Sequence, residues 1–162
     1  MSILALDLGT KAGWAVGSKG GFASGVWNLA GSRFSGGGMR FVHFRQRLEE
    51  VRAGYRIDAV YFEEVRRHRG VDAAHVYGGM LAILTAWCEE NRIPYEGVPV
   101  GEIKRSFTGK GNADKDAMIA EARRRGYEPE DDNHADAIAL FLLKAGENVE
   151  PPAVPAELEE MV

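Results

Sequence analysis

The 162 residues, 45% of them apolar and 27% charged, have the proportions of one ordinary globular domain able to bury a core. The N-terminus shows no basic-then-apolar leader and no apolar run approaches membrane-spanning length, so the expectation is a cytoplasmic protein with no membrane partner. The net charge of -4 does not exclude a nucleic-acid partner, because five glutamates fall in residues 147–162, which have no Lys or Arg, and elsewhere 19 acidic residues face 20 basic ones.

The first element is an apolar run, Ile3, Leu4, Ala5 and Leu6, that ends in Asp7 and the turn Gly9-Thr10. Such a run reads as a buried central strand. A carboxylate at its end leaves the core half desolvated, a costly place for a charge unless a cation shares it. On this stretch alone, a strand cap or turn opener accounts for Asp7 equally well. Ala12–Gly17 and Gly21–Leu29, separated by Ser18-Lys19-Gly20, predict two further strands in an antiparallel meander. Ser32–Gly38, with three successive glycines, predicts a flexible loop. Met39–Arg52 places Phe41, Phe44, Leu48 and Val51 at helical spacing.

Ile57–Phe62 repeats the opening pattern and ends in Glu63-Glu64; side chains alternate along a strand, so only one of the two can join Asp7. Arg66–Gly70 is a basic loop. Val71–Asn91 predicts the longest helix, with Ala73, Tyr77, Met80, Leu84 and Trp87 on one side and Ala74, Gly78, Leu81 and Cys88 on the adjacent one. So wide an apolar arc suits a central helix or one shared with a second copy, and Gly78-Gly79 would permit close approach in a homodimer. Cys88, the only cysteine, reads as a buried small hydrophobe. Trp14, Trp27 and Trp87 read as core.

Ile93–Val98 predicts a strand, Val100–Phe107 a short helix, Thr108–Asn112 a glycine loop and Ala113–Arg125 a helix. Asn133–Ala145 predicts a final helix capped by Asp131, Asp132 or Asn133. The reading therefore divides the chain into a folded body, residues 1–146, and an acidic disordered tail, residues 147–162. A meander followed by alternating helices and strands makes an α/β fold, a mixed five-stranded sheet with helices on both faces, and resembles the ribonuclease H-like arrangement.

The final helix adds a third acid. Asp136 sits among Ala135, Ala137, Ile138 and Ala139, small enough to let the helix approach the sheet closely, and Asp132 and Asn133 share its face. His134 is expected behind the site or at the surface. Three converging carboxylates repel unless hard cations neutralise them, and oxygen ligands select Mg²⁺ or Mn²⁺. His43, His68, His75 and His134 lack the paired spacing of a zinc site. A carboxylate site of this kind suits two-metal hydrolysis of a phosphodiester.

The segments LALDLGTKAGWAV, YFEEV, VGEIKRSFTGKGNADKDAMI and DDNHADAIALFLL follow one another as in RuvC-type Holliday junction resolvases, and the chain most resembles the phage-like branch of that family. The resemblance implies a homodimeric, Mg²⁺-dependent endonuclease, with Mn²⁺ as substitute and no nucleotide cofactor, that cuts branched DNA and leaves 5′-phosphates. It assigns the metal and the catalysis to Asp7, Glu63 and Asp136. It puts a fourth ligand at Asn133, where the family has an acid or histidine; Asp132 is the substitute within reach. The family's functional lysines match Lys104 and Lys115, which the resemblance implies contact the DNA backbone or stabilise charge near the scissile phosphate, with Lys115 counted among the catalytic residues; Lys110 lies in the same motif and is expected to bind DNA. The loop after Glu63, where the family often carries an aromatic wedge, has Arg66, Arg67 and Arg69, which implies phosphate-driven DNA binding and less strict junction selectivity. Two other readings are a catalytically weak junction-binding module, motivated by Asn133, and an actin-like nucleotide-binding protein using DLGT.

Overall fold

The computed structural model describes residues 1–146; the expected acidic tail, 147–162, lies outside the described residues. Strands β1 (Ile3–Asp7), β2 (Lys11–Ser18) and β3 (Gly21–Asn28) are followed by helix α1 (Met39–Gly54), strand β4 (Ala59–Glu64), helix α2 (Val71–Glu90) and strand β5 (Tyr95–Pro99). Helices α3 (Val100–Thr108), α4 (Lys115–Arg124) and α5 (Asp132–Ala145) complete the body. The sheet order is β3-β2-β1-β4-β5. β1 pairs antiparallel with β2 and parallel with β4, and β5 is parallel to β4. The expected meander and mixed five-stranded sheet are both present.

β1 is central, and both its faces are buried. Ile3 and Ala5 face the core under α3, α4 and α5. Leu4, Leu6 and Leu8 face the core under α1 and α2, with Phe44, Leu48, Met80, Leu84 and Trp87. This two-sided burial explains why the strand reads as a continuous apolar run rather than an alternating one.

Several boundaries differ from expectation. β4 begins at Ala59, not Ile57, and carries both glutamates, because its parallel ladder with β5 runs on through Glu63 opposite Val98 and Glu64 opposite Pro99. β5 begins at Tyr95: the Ile93 N–H instead closes the end of α2 by donating to the Cys88 carbonyl at 2.9 Å. α1 runs two residues past Arg52 to Gly54. α4 starts at Lys115, since the Asp114 side chain accepts from the Ala117 N–H as an N-cap. Asp131 caps α5 by accepting from the His134 N–H.

α2 is long and apolar enough to cross a membrane by length and composition, which corrects the expectation that no segment was. It is a core helix on one side only: Tyr77, Met80, Leu84, Trp87 and Cys88 are buried, whereas Ala73 and Gly78 are exposed. Gly79 faces a neighbour within the chain itself, because a Cβ there would lie 2.5 Å from the Phe41 ring, which would have to shift. Burial pushes the Cys88 thiol up to about 12, so it behaves as the inert hydrophobe expected. Trp87 is fully buried and its indole N–H donates to Glu49; Trp27 is buried and stacks on the half-buried Trp14 at 5.5 Å.

Candidate metal centre

Strand alternation sets the first two acids. In β1 the residues facing α5 are Ile3 and Ala5, so the next on that face is Asp7. In β4 they are Ala59 and Tyr61, so the next is Glu63, while Glu64 turns away and pairs with Arg66 at 3.2 Å. The register that sets Leu6 opposite Phe62 brings Asp7 alongside Glu63.

The third acid arrives because α5 lies almost on the backbone of β2. A Cβ at Gly13 would be 1.9 Å from the Asn133 carbonyl oxygen, so only glycine lets the first turn of α5 seat there. Ala135, Ala137 and Ala139 keep the rest of the helix close. Asp136 then meets the two strand acids, and one carboxylate oxygen from each of Asp7, Glu63 and Asp136 lies within 4.8 Å of the others.

Burial dominates the electrostatics. It holds the Asp7 carboxyl well above the usual range, with the Glu63 and Asp136 charges adding to the effect. Burial also raises Glu63, against a hydrogen bond with Asp7 and the nearby Lys104 charge, both of which favour the ionised form. Asp136 is pushed up to about 8, by burial first and then by Glu63 and Asp132, with Lys104 opposing. At neutral pH the cluster therefore holds protons that a divalent cation would displace. Three hard oxygen donors short of compensating charge fit Mg²⁺ or Mn²⁺.

The other expected residues fall at varied distances from this centre. Lys104, half-buried in α3, is close enough to act on Glu63 and Asp136. Lys115 is exposed and pairs with Asp132 at 3.5 Å, and Asp132 in turn bears on all three acids. The Asn133 amide donates weakly to Asp131 at 3.5 Å. Arg66, Arg67 and Arg69 are exposed on the loop directly after β4, and Lys110 is exposed between α3 and α4.

Two side chains support the site from behind, His134 in one of the two places expected for it and Tyr77 in a role that was not expected. His134 is neither on the surface nor directed at the acids. It is 6% exposed, and its Nδ1 accepts from the Glu130 N–H at 2.9 Å while Nε2 meets the Ser24 hydroxyl at 2.8 Å. The ring thus ties the turn before α5 to β3, and burial lowers its proton affinity. Tyr77 donates its hydroxyl to the Glu63 carbonyl at 2.9 Å and accepts from the Val65 N–H at 3.2 Å, which fixes the backbone on both sides of Glu64. Tyr77 reads in sequence as one more apolar helix position, so nothing signals that role.

No family model matches the chain. Among solved structures, Thermus thermophilus RuvC in complex with a Holliday junction substrate superposes with a TM-score of 0.71 at 21% identity, covering 93% of this chain and 98% of that one. A second Thermus thermophilus RuvC structure gives 0.66 at 22% identity, over 89% and 96% of the two chains. The fold is ribonuclease H-like. The yeast mitochondrial Holliday junction resolvase Ydc2 shares this ribonuclease H-like frame with a TM-score of 0.60 at 12% identity, over 85% of this chain and 75% of that one.

Proposed function

We propose that the chain is a divalent-metal-dependent endonuclease that cuts branched DNA, a RuvC-type resolvase of the phage-like branch acting in the cytoplasm. The observation that carries this reading is the convergence of Asp7, Glu63 and Asp136 within 4.8 Å at one end of the sheet, with protons a cation would replace. The likeness to resolvase structures, one of them in complex with a Holliday junction substrate, supports the choice of branched DNA.

Asp7, Glu63 and Asp136 would hold Mg²⁺, or Mn²⁺ in its place, with Asn133 or Asp132 completing the set. When bound, the metal supplies Lewis-acid chemistry for in-line hydrolysis of a phosphodiester. The chain's own residues do the rest. The acids, rigid on two strands and a helix, fix where the scissile phosphate sits. Lys104 brings a positive charge beside Glu63 and Asp136, suited to the charge that develops on the phosphate. Lys115, at the start of α4, contacts the DNA next to Asp132. Lys110, Arg66, Arg67 and Arg69 neutralise backbone phosphates, so binding weakens with salt.

The functional unit is a homodimer joined through the outward side of α2. Gly78, Ala82 and Ala86 are exposed there, and nothing lies within 4 Å of a Cβ at Gly78, so packing within one chain does not require glycine at that position. Residues 1–146 form the nuclease body, with 147–162 as an acidic appendage and no nucleotide cofactor.

The test is a panel of labelled four-way junction, flap, duplex and RNA–DNA hybrid incubated with Mg²⁺ or Mn²⁺. The four-way junction is cut, and Asp7→Asn abolishes cutting. A wild-type protein that binds the junction and never cuts it is instead a junction-binding module.

A further inference from the structure

The segment between β3 and α1 presents an aromatic side chain that the proposed nuclease chemistry does not use. Phe34 is 85% exposed, more than any other large hydrophobic residue among those described. One exposed apolar residue is ordinary, but this one sits in a constructed turn. The Ser35 N–H donates to the Ser32 carbonyl at 3.0 Å, which leaves Arg33 and Phe34 at the apex. The Ser32 and Ser35 hydroxyls meet at 3.0 Å and the Phe34 N–H donates to the Ser32 hydroxyl at 3.3 Å, so side chains brace the turn as well. The Arg33 guanidinium lies 4.7 Å from the centre of the Phe34 ring, covering it with a cation.

The position of the turn points to DNA. Arg40 donates to the Gly37 carbonyl at 3.1 Å and to the Thr10 hydroxyl at 3.3 Å, and the Leu29 N–H donates to the Thr10 carbonyl at 2.8 Å. Thr10 is three residues beyond Asp7, so the segment is anchored at the carboxylate end of the sheet, across β1 from the basic loop after Glu63. The charge agrees: the 41 residues between Asp7 and Glu49 contain six Lys or Arg and no acid, in a chain whose net charge is -4.

Gly36, Gly37 and Gly38, on the other side of the apex, have nothing within 4 Å of a Cβ and no left-handed φ. Neither packing nor backbone conformation requires glycine at any of the three. Their common property is backbone freedom, which lets a braced tip adjust its angle on a fixed base.

We propose that the Arg33-Phe34 turn is a DNA-contacting element in which Phe34 stacks on a base left unpaired at the branch point, while Arg33 meets the adjacent phosphate. This rests on the branched-DNA reading above. An aromatic ring offers every base the same stacking face, so the turn favours branched over continuous duplex without reading sequence.

The experiment measures affinity for a fluorescent four-way junction and for a duplex of equal length in Ca²⁺, with the DNA recovered uncut, and permanganate reactivity of thymines at the branch point. Phe34→Ala should weaken junction binding about tenfold, the order of one lost base–aromatic stack, with a much smaller effect on the duplex. The same variant should raise the thymine reactivity, because the ring no longer shields the face of the base it stacks on, and Phe34→Trp should reverse both changes. If Phe34→Ala binds the junction within twofold of wild type and leaves the thymines equally reactive, the proposal is overturned while the nuclease reading stands. A wild type that neither prefers the junction in Ca²⁺ nor cuts it in Mg²⁺ overturns both, and the wild-type lanes alone reveal it.

Discussion

Replacing Asp136 with asparagine should stabilise the metal-free protein while destroying the site. The carboxyl is pushed up to about 8 in the folded chain, whereas in the unfolded chain it ionises near pH 4. Between those values the folded state holds a proton that the unfolded state has released. Wild-type stability therefore falls as pH rises from about 4 to about 8, and is level above that. Each pH unit of separation is about 1.4 kcal/mol, which sets a ceiling of about 5–6 kcal/mol. Partial exposure of the group and relaxation of Asp7 and Glu63 reduce it, so we expect about 2–3 kcal/mol at pH 9. For a domain of this length that is a rise in Tm of about 5–10 °C. The assay is thermal unfolding of both proteins in EDTA from pH 5 to pH 9, repeated with Mg²⁺. The gap should widen with pH in EDTA and shrink in Mg²⁺, which supports only the wild type. A variant less stable than wild type at pH 9, or a gap that does not change with pH, would refute the electrostatic reasoning.

Gly13→Ala should cost several kcal/mol, about 3 by analogy with other changes that force packed backbone apart, because the new Cβ has no space against the Asn133 carbonyl; urea unfolding checks this. His134→Ala should cost about 1–3 kcal/mol by leaving the Glu130 N–H without its acceptor. Because burial lowers the proton affinity of His134, the stability it contributes is complete above pH 6.5 and lost as the pH falls through its folded value, so the variant should show a flatter acid limb in the same titration. Lys104→Ala removes a charge that favours ionised Glu63 and Asp136, so the acid limb of the pH–rate profile should move to higher pH as kcat falls.

What could be read in the sequence depended on how strongly each residue type is constrained. Ile3–Leu6 and Ile57–Phe62 announced central strands because burial on both faces demands unbroken apolar runs, and the acid closing each run followed from strand alternation. The limits of β4 and β5 were not legible. Ile57 and Ile93 are buried outside the ladder, and hydrophobicity alone does not separate a core residue in a loop from one in a strand. Asp136 was found because alanines surround it, whereas the reason α5 can approach, Gly13 in β2, lies 123 residues away and is visible only in three dimensions. His134 could be placed only as behind the site or at the surface, for a related reason. Helical geometry turned it away from Asp136 correctly, but its partners, Ser24 and the Glu130 backbone, come from β3 and the turn before α5. Gly79 read as half of a contact between copies, while its neighbour is Phe41 of the same chain.

The central claim is that Asp7, Glu63 and Asp136 act together as one cation site. Calorimetric titration of the full chain with Mn²⁺ at pH 7, in two buffers of different ionisation enthalpy, tests it without relying on activity. The account predicts saturable binding by the wild type with net proton release, and its loss in each of Asp7→Asn, Glu63→Gln and Asp136→Asn. Binding that persists unchanged in any of the three variants, or that releases no protons from the wild type, would contradict it.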